Sequence, residues 1–121
     1  MEEVVKQYCK NDILIITPNF PYENDPNLFG FVYNKIKKYN ENGLNADIAV
    51  VNDSAMNVQE IIEYRGIKFL RTGYNQLRDL LLEKKYKKIL IHCCVPKYFK
   101  ILNACNIMNT QIFIYSYGND M

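Results

Sequence analysis

The stretch DILIITPNFPYENDPNLFGFVYNKIKKYNENGLNADIAVVN, Asp12 to Asn52, decides the fold. Within it, Ile13-Leu14-Ile15-Ile16-Thr17 is an unbroken aliphatic and β-branched run. A run without a polar face suits a strand covered on both sides, as in a parallel sheet. Pro18, Pro21 and Pro26 then break regular structure, and Gly30 sits where a helix begins. Phe29, Val32, Tyr33 and Ile36 share one helical face, with Asn34, Lys35, Lys37 and Lys38 on the other. Gly43 supplies the stop, and Ala46 to Val51 resumes as a strand. This βαβ opening makes the Pro18–Gly30 loop a candidate wall of a ligand site, because parallel sheets bind ligands beyond the carboxyl ends of their strands.

Outward from this unit the pattern repeats. Asp53 to Asn57 is polar and loop-like. Ile61–Tyr64 and Ile67–Leu70 flank Arg65-Gly66, a tight hairpin turn. Gly73 precedes a helix whose apolar face is Tyr74, Leu77, Leu80, Leu81 and Leu82, with Asn75, Arg78, Asp79 and Glu83 opposite. Ile89-Leu90-Ile91 is a second fully buried strand. Pro96 suits the first turn of a further helix, with Tyr98, Ile101, Leu102, Cys105 and Met108 inward. Ile112 to Tyr115 is the last strand.

Alternating strands and helices imply an α/β fold: a Rossmann-like parallel sheet of about five strands with helices on both faces. Right-handed crossovers favour the order 3-2-1-4-5, with the Ile13 and Ile89 strands side by side at the switch point. Three segments then meet at one edge: Pro18–Gly30, His92–Pro96 and Ser116–Asp120. With 121 residues the chain is expected to form one domain, 1–121. Because it stops at its own crevice, it is expected to be part of something larger, with an apolar edge near Tyr115 to Met121 that favours self-association.

Composition narrows the function classes. Charged residues are 23% and hydrophobic ones 49%, which fits a globular chain. A net charge of +2 gives no case for nucleic-acid binding. The Lys84-Lys85-Tyr86-Lys87-Lys88 cluster is first a solvated helix end favoured by the helix dipole, and second a weak peripheral contact with anionic lipid. No apolar run approaches the roughly 20 residues of a membrane span, and Met1 to Lys6 lacks a signal pattern; a cytoplasmic location is expected. Cys9, Cys93, Cys94 and Cys105 show no CxxC spacing, so neither a zinc site nor a disulfide framework is expected. The first strand–helix turn carries neither GxGxxG nor a P-loop, and Thr17-Pro18-Asn19 lacks the acidic residues of a phosphoacceptor module.

The motifs in order resemble the start of the GT-B glycosyltransferases of family 4. Asp12–Asn52 is similar to that family's opening strand, Pro-containing loop, helix-start glycine and second strand. EYRGIKFLR (63–71) is similar to its hairpin, YKKILIH (86–92) to its strand ending in histidine, and IFIYSYGND (112–120) to the strand leading into its His-Gly-x-Asp motif. The resemblance spans nearly the whole chain. It implies a glycosyltransferase moving a sugar from a nucleotide-diphosphate sugar to a saccharide or lipid-linked acceptor, in polysaccharide biosynthesis. It implies no cofactor and no bound metal.

The resemblance also implies site residues. Gly30 matches a glycine whose helix-start amides approach the donor phosphates or the acceptor; Phe29 and Phe31 stand where the family often has a second glycine. His92 matches a histidine near the acceptor cleft, where it would bond a sugar hydroxyl. Tyr117, Gly118 and Asp120 occupy the His-Gly-x-Asp position, with Tyr117 replacing a histidine that contacts the transferred sugar. Asn19, Tyr22, Glu23, Asn24 and Asp25 offer loop polarity. The family's C-terminal donor-binding domain has no counterpart in these 121 residues, which alone are not expected to catalyse transfer. The alternative is a free-standing, non-catalytic Rossmann-like binding module.

Overall fold

The computed structural model describes residues 3–20, 30–53, 59–93, 95–105, 107, 109–115. Elements in chain order are α1 (Glu3–Tyr8), β1 (Ile13–Thr17), α2 (Gly30–Glu41), β2 (Asp47–Val51), β3 (Gln59–Tyr64), β4 (Ile67–Thr72), α3 (Tyr74–Glu83), β5 (Lys88–His92), α4 (Pro96–Ala104) and β6 (Gln111–Tyr115).

The fold is α/β, Rossmann-like in general kind. One sheet runs β3-β4-β2-β1-β5-β6. The expected five-stranded sheet is corrected to six: β3 pairs antiparallel with β4 along the Ile61–Ile67 hairpin and becomes an edge, while all other neighbours are parallel. The turn has Arg65 at φ 49° and Gly66 at φ 83°. Two consecutive left-handed residues match the twist of a two-residue hairpin. β1 pairs with β5 from Ile13↔Lys88 to Ile16↔Ile91.

Alternation along each strand sorts the core into two layers. Leu14, Ile16, Ala49, Val51, Leu70, Ile89 and Ile91 pack against Leu77, Leu80 and Leu81 of α3 and Tyr98 and Leu102 of α4. Ile15, Ile48, Val50, Phe69 and Leu90 face Val32 and Ile36 of α2 on the other side. Leu82, expected on the inner face of α3, is 53% exposed. The arc of α3 that meets the sheet and α4 is filled by Leu77, Leu80 and Leu81, and Leu82 lies one position beyond it. Met108, expected inward, and Cys94 lie outside the described residues.

Below the amino ends of the strands, a polar clamp ties distant segments together. Asp47, 1% exposed, accepts from the backbone N–H groups of Lys10 and Asn11, each at 3.2 Å, and from Asn11 Nδ2 at 3.0 Å. Its other oxygen accepts from Tyr86 Oη at 2.6 Å and Lys84 Nζ at 3.3 Å. Lys84 also donates to the Cys9 carbonyl. Tyr8 Oη donates to the Lys68 carbonyl at 2.8 Å and accepts from Ile48 N–H at 2.9 Å, which fastens α1 under β2 and β4. Burial pushes the Tyr86 and Tyr8 hydroxyls well above the usual phenol range. It also lifts the Cys9 thiol to about 11, with the Asp47 charge adding to the effect. All three therefore stay protonated at neutral pH. Of the lysine cluster, Lys84 turns inward to this clamp, and Lys87 reaches Asp12 at 3.5 Å on the surface.

The far edge, β6, is covered less well than the sequence implies. Ile112, Phe113 and Ile114 are 36%, 42% and 50% exposed on alternating faces. Helices therefore cover both faces at the centre of the sheet but leave β6 open. An exposed, uncharged edge strand is a template for pairing between molecules. Phe113→Lys is expected to reduce concentration-dependent self-association in sedimentation velocity. Equal association of the variant and the parent would place the contact elsewhere.

Candidate functional site

The parallel strands deliver their carboxyl ends to one edge, where three connections begin. Thr17 ends β1, and its hydroxyl donates to the Asn19 carbonyl at 3.0 Å. Asn52 follows β2, and its Nδ2 donates to the Pro18 carbonyl at 2.6 Å, lacing the two central strand ends together. Beyond β5, Cys93 adopts φ 83°. A non-glycine residue held in that region costs about 1–3 kcal/mol, and its N–H is fixed by the Tyr115 carbonyl at 2.9 Å. Strain is thus stored in the β5–α4 turn, at the edge where an α/β sheet receives ligands.

A cleft of about 330 Å³ opens at this edge, on the α3/α4 side. Asn52 and Asp53 contribute from the end of β2, Tyr74, Asn75 and Gln76 from the first turn of α3, and Lys97, Lys100 and Ile101 from α4. Lys97 Nζ lies 3.2 Å from Asp53 Oδ1 and 4.8 Å from the centre of the Tyr74 ring. Tyr98 anchors the wall from below. It is fully buried, and its hydroxyl donates to the Val51 carbonyl at 2.6 Å. Tyr74 and Tyr98 rings meet at 6.1 Å. Neither α3 nor α4 has a side-chain N-cap or an acidic residue in its first turn, so both helices begin at this side without a charge of their own against the dipole.

His92 ends β5, as expected, but it faces the other side of the sheet from this cleft. Its ring stacks on Tyr115 at 4.7 Å with 9° between planes, and Tyr39 of α2 lies 6.4 Å away. Lys35 Nζ sits 4.5 Å above the same Tyr115 ring. The histidine is 0% exposed. Burial, with the nearby Lys35 charge, lowers its pKa from 6.5 to about 4, so the ring is neutral near pH 7. In the unfolded chain it titrates near 6.5. Between those values the unfolded state binds a proton that the folded state refuses, so stability drops as pH falls from 6.5 toward 4. Urea titrations of wild type and His92→Gln across that window are expected to show a steeper loss for wild type. Parallel pH profiles would contradict a buried neutral imidazole.

Gly30 is the first residue of α2. Tyr117, Gly118 and Asp120 lie outside the described residues, as do Tyr22, Glu23, Asn24 and Asp25; Asn19 is half-buried, and its carbonyl accepts from Thr17. The cleft residues were missed as a set because Asn52-Asp53, Tyr74 and Lys97 belong to three separate elements. The available signal was topological: each stands directly after a parallel strand or opens the helix that follows one. Among the described residues no group of three His, Cys, Asp or Glu side chains is arranged to hold a metal ion, and no helix is long and apolar enough to cross a membrane. No protein-family model matches the chain, and neither does a curated protein or a solved structure.

Proposed function

We propose that this chain is the acceptor-side, Rossmann-like domain of a GT-B glycosyltransferase of the family 4 kind. Such an enzyme moves a sugar from a nucleotide-diphosphate sugar to a saccharide or lipid-linked acceptor. In this reading the parallel strands β4-β2-β1-β5-β6 take the order 3-2-1-4-5, with β3 added at the edge. The donor-binding half is a second domain outside these residues. Gly30 opens α2 toward the interdomain gap, His92 ends β5 at the carboxyl edge, and Tyr117, Gly118 and Asp120 are the sequence counterpart of the His-Gly-x-Asp motif.

The single observation that carries the proposal is the open cleft at the carboxyl ends of β2 and β4. Its amide, carboxylate and ammonium groups beside a tyrosine ring are the groups that recognise sugar hydroxyls and the apolar face of a sugar ring. They sit where an α/β sheet places its ligand. Burial of His92 favours a supporting role for it: a neutral ring that holds Tyr115 in place and is not a proton carrier.

The test is sugar transfer by the product of the complete reading frame that encodes this chain, assayed with a panel of nucleotide-diphosphate sugars and saccharide acceptors. Transfer or donor hydrolysis is expected with at least one donor, and Gly30→Val is expected to abolish it while the thermal melt stays close to wild type. Absence of transfer, donor hydrolysis and saccharide binding would leave the non-catalytic module as the correct description.

A further inference from the structure

The carboxyl-edge cleft presents both charged and hydrogen-bonding groups. Two lysines, Lys97 and Lys100, face one aspartate, Asp53, so the cleft carries a positive balance. Lys97 and Lys100 are three residues apart and share a face of α4. Lys97 is held in place by Asp53 at 3.2 Å and by the Tyr74 ring. The first turn of α3, which carries no side-chain cap and no acidic residue of its own, opens on the same side.

A second feature is of opposite polarity. Gln76 lines the cleft, and its Oε1 is buried and accepts no hydrogen bond among the described residues. The Thr72 hydroxyl, at the end of β4 just before α3, is likewise buried and unbonded. Buried polar atoms left unbonded each cost about 1–3 kcal/mol. An acceptor such as Gln76 Oε1 needs a donor, which a bare anion cannot supply. A sugar hydroxyl can.

We infer that this cleft binds an anionic saccharide, a sugar ring carrying a carboxylate or phosphate. The anionic group meets Lys97 and Lys100, the ring lies beside Tyr74, and a hydroxyl donates toward Gln76. The inference rests on the acceptor-side proposal and names its substrate class.

Calorimetric titrations of the 121-residue chain with glucuronate, glucose 6-phosphate, glucose and inorganic phosphate test it. At least one acidic sugar is expected to bind about tenfold more tightly than both glucose and inorganic phosphate, a difference of about 1.4 kcal/mol. Comparing glucuronate with glucose 6-phosphate tells carboxylate from phosphate. Lys97→Ala with Lys100→Ala is expected to remove that preference, and Asp53→Asn to strengthen it. These side chains are solvent-facing, so circular dichroism melts should be unchanged. Raising the salt concentration should weaken the acidic sugar and leave glucose unaffected.

Glucose binding as tightly as the acidic sugars overturns the charge selection and leaves the acceptor-side proposal standing. Inorganic phosphate binding as tightly as glucose 6-phosphate reduces the cleft to a plain anion site and overturns the inference. No binding of any probe also overturns it, and the transfer assay then decides the wider proposal separately.

Discussion

Asp47→Ala is expected to lower the free energy of unfolding by about 3–5 kcal/mol, the range for breaking a buried, multiply bonded ion pair from one side. The carboxylate is 1% exposed and receives five hydrogen bonds, from the Lys10 and Asn11 backbones, the Asn11 amide, Tyr86 and Lys84. Alanine leaves the Tyr86 hydroxyl buried without its acceptor and the Lys84 ammonium without its carboxylate partner. These donors come from the β1 entry and the α3–β5 connection and converge on the start of β2, so one substitution loosens three segments. Domains of this size have about 5–15 kcal/mol in total, and the variant should therefore be largely unfolded at modest denaturant. Tyr86→Phe removes one short, charge-assisted bond and is expected to cost about 1.5–3 kcal/mol. Urea midpoints at constant slope check both values. A loss below about 1 kcal/mol for Asp47→Ala would mean that solvent satisfies the clamp.

Tyr98→Ala is expected to cost about 3–5 kcal/mol, as for other buried aromatic truncations. Tyr98 is fully buried in the α3/α4 layer, and its hydroxyl ties α4 to the carboxyl end of β2 through the Val51 carbonyl. Tyr98→Phe keeps the ring and removes the bond, leaving that carbonyl without its side-chain donor; about 1–2 kcal/mol is expected. The two variants separate packing from hydrogen bonding. Equal losses would mean that the ring contributes nothing beyond its hydroxyl.

The centre of the fold is legible in two runs, Ile13–Thr17 and Ile89–Ile91. Each is apolar on both faces because helices cover both sides there. The Arg65-Gly66 turn and the Gly43 stop are equally local. Gly43 indeed takes φ 83°, where open space leaves conformation as the only demand.

What escaped is non-local. α1 is six residues long, and it is fixed by Tyr8 bonding to Ile48 and Lys68, 40 and 60 positions away. Ile112–Ile114 reads like Ile13–Ile16, yet it lies at an edge. An apolar run identifies a strand but not how many neighbours cover it. His92 was legible as the end of β5. Its stacking under Tyr115 depends on the β5–β6 register, His92↔Tyr115, which no local pattern encodes. Lys97 and Asp53 meet only because α4 packs beside the exit of β2, 44 residues away.

The most direct test of the acceptor-side assignment is a map of backbone amide shifts as a saccharide acceptor is added to the ¹⁵N-labelled chain. Shifts are expected to cluster at Asn52, Asp53, Tyr74, Gln76 and Lys97, at the carboxyl edge. The clamp residues Lys10, Asp47 and Tyr86 at the opposite edge should stay fixed. Shifts centred on the clamp, or none at millimolar saccharide, would contradict it.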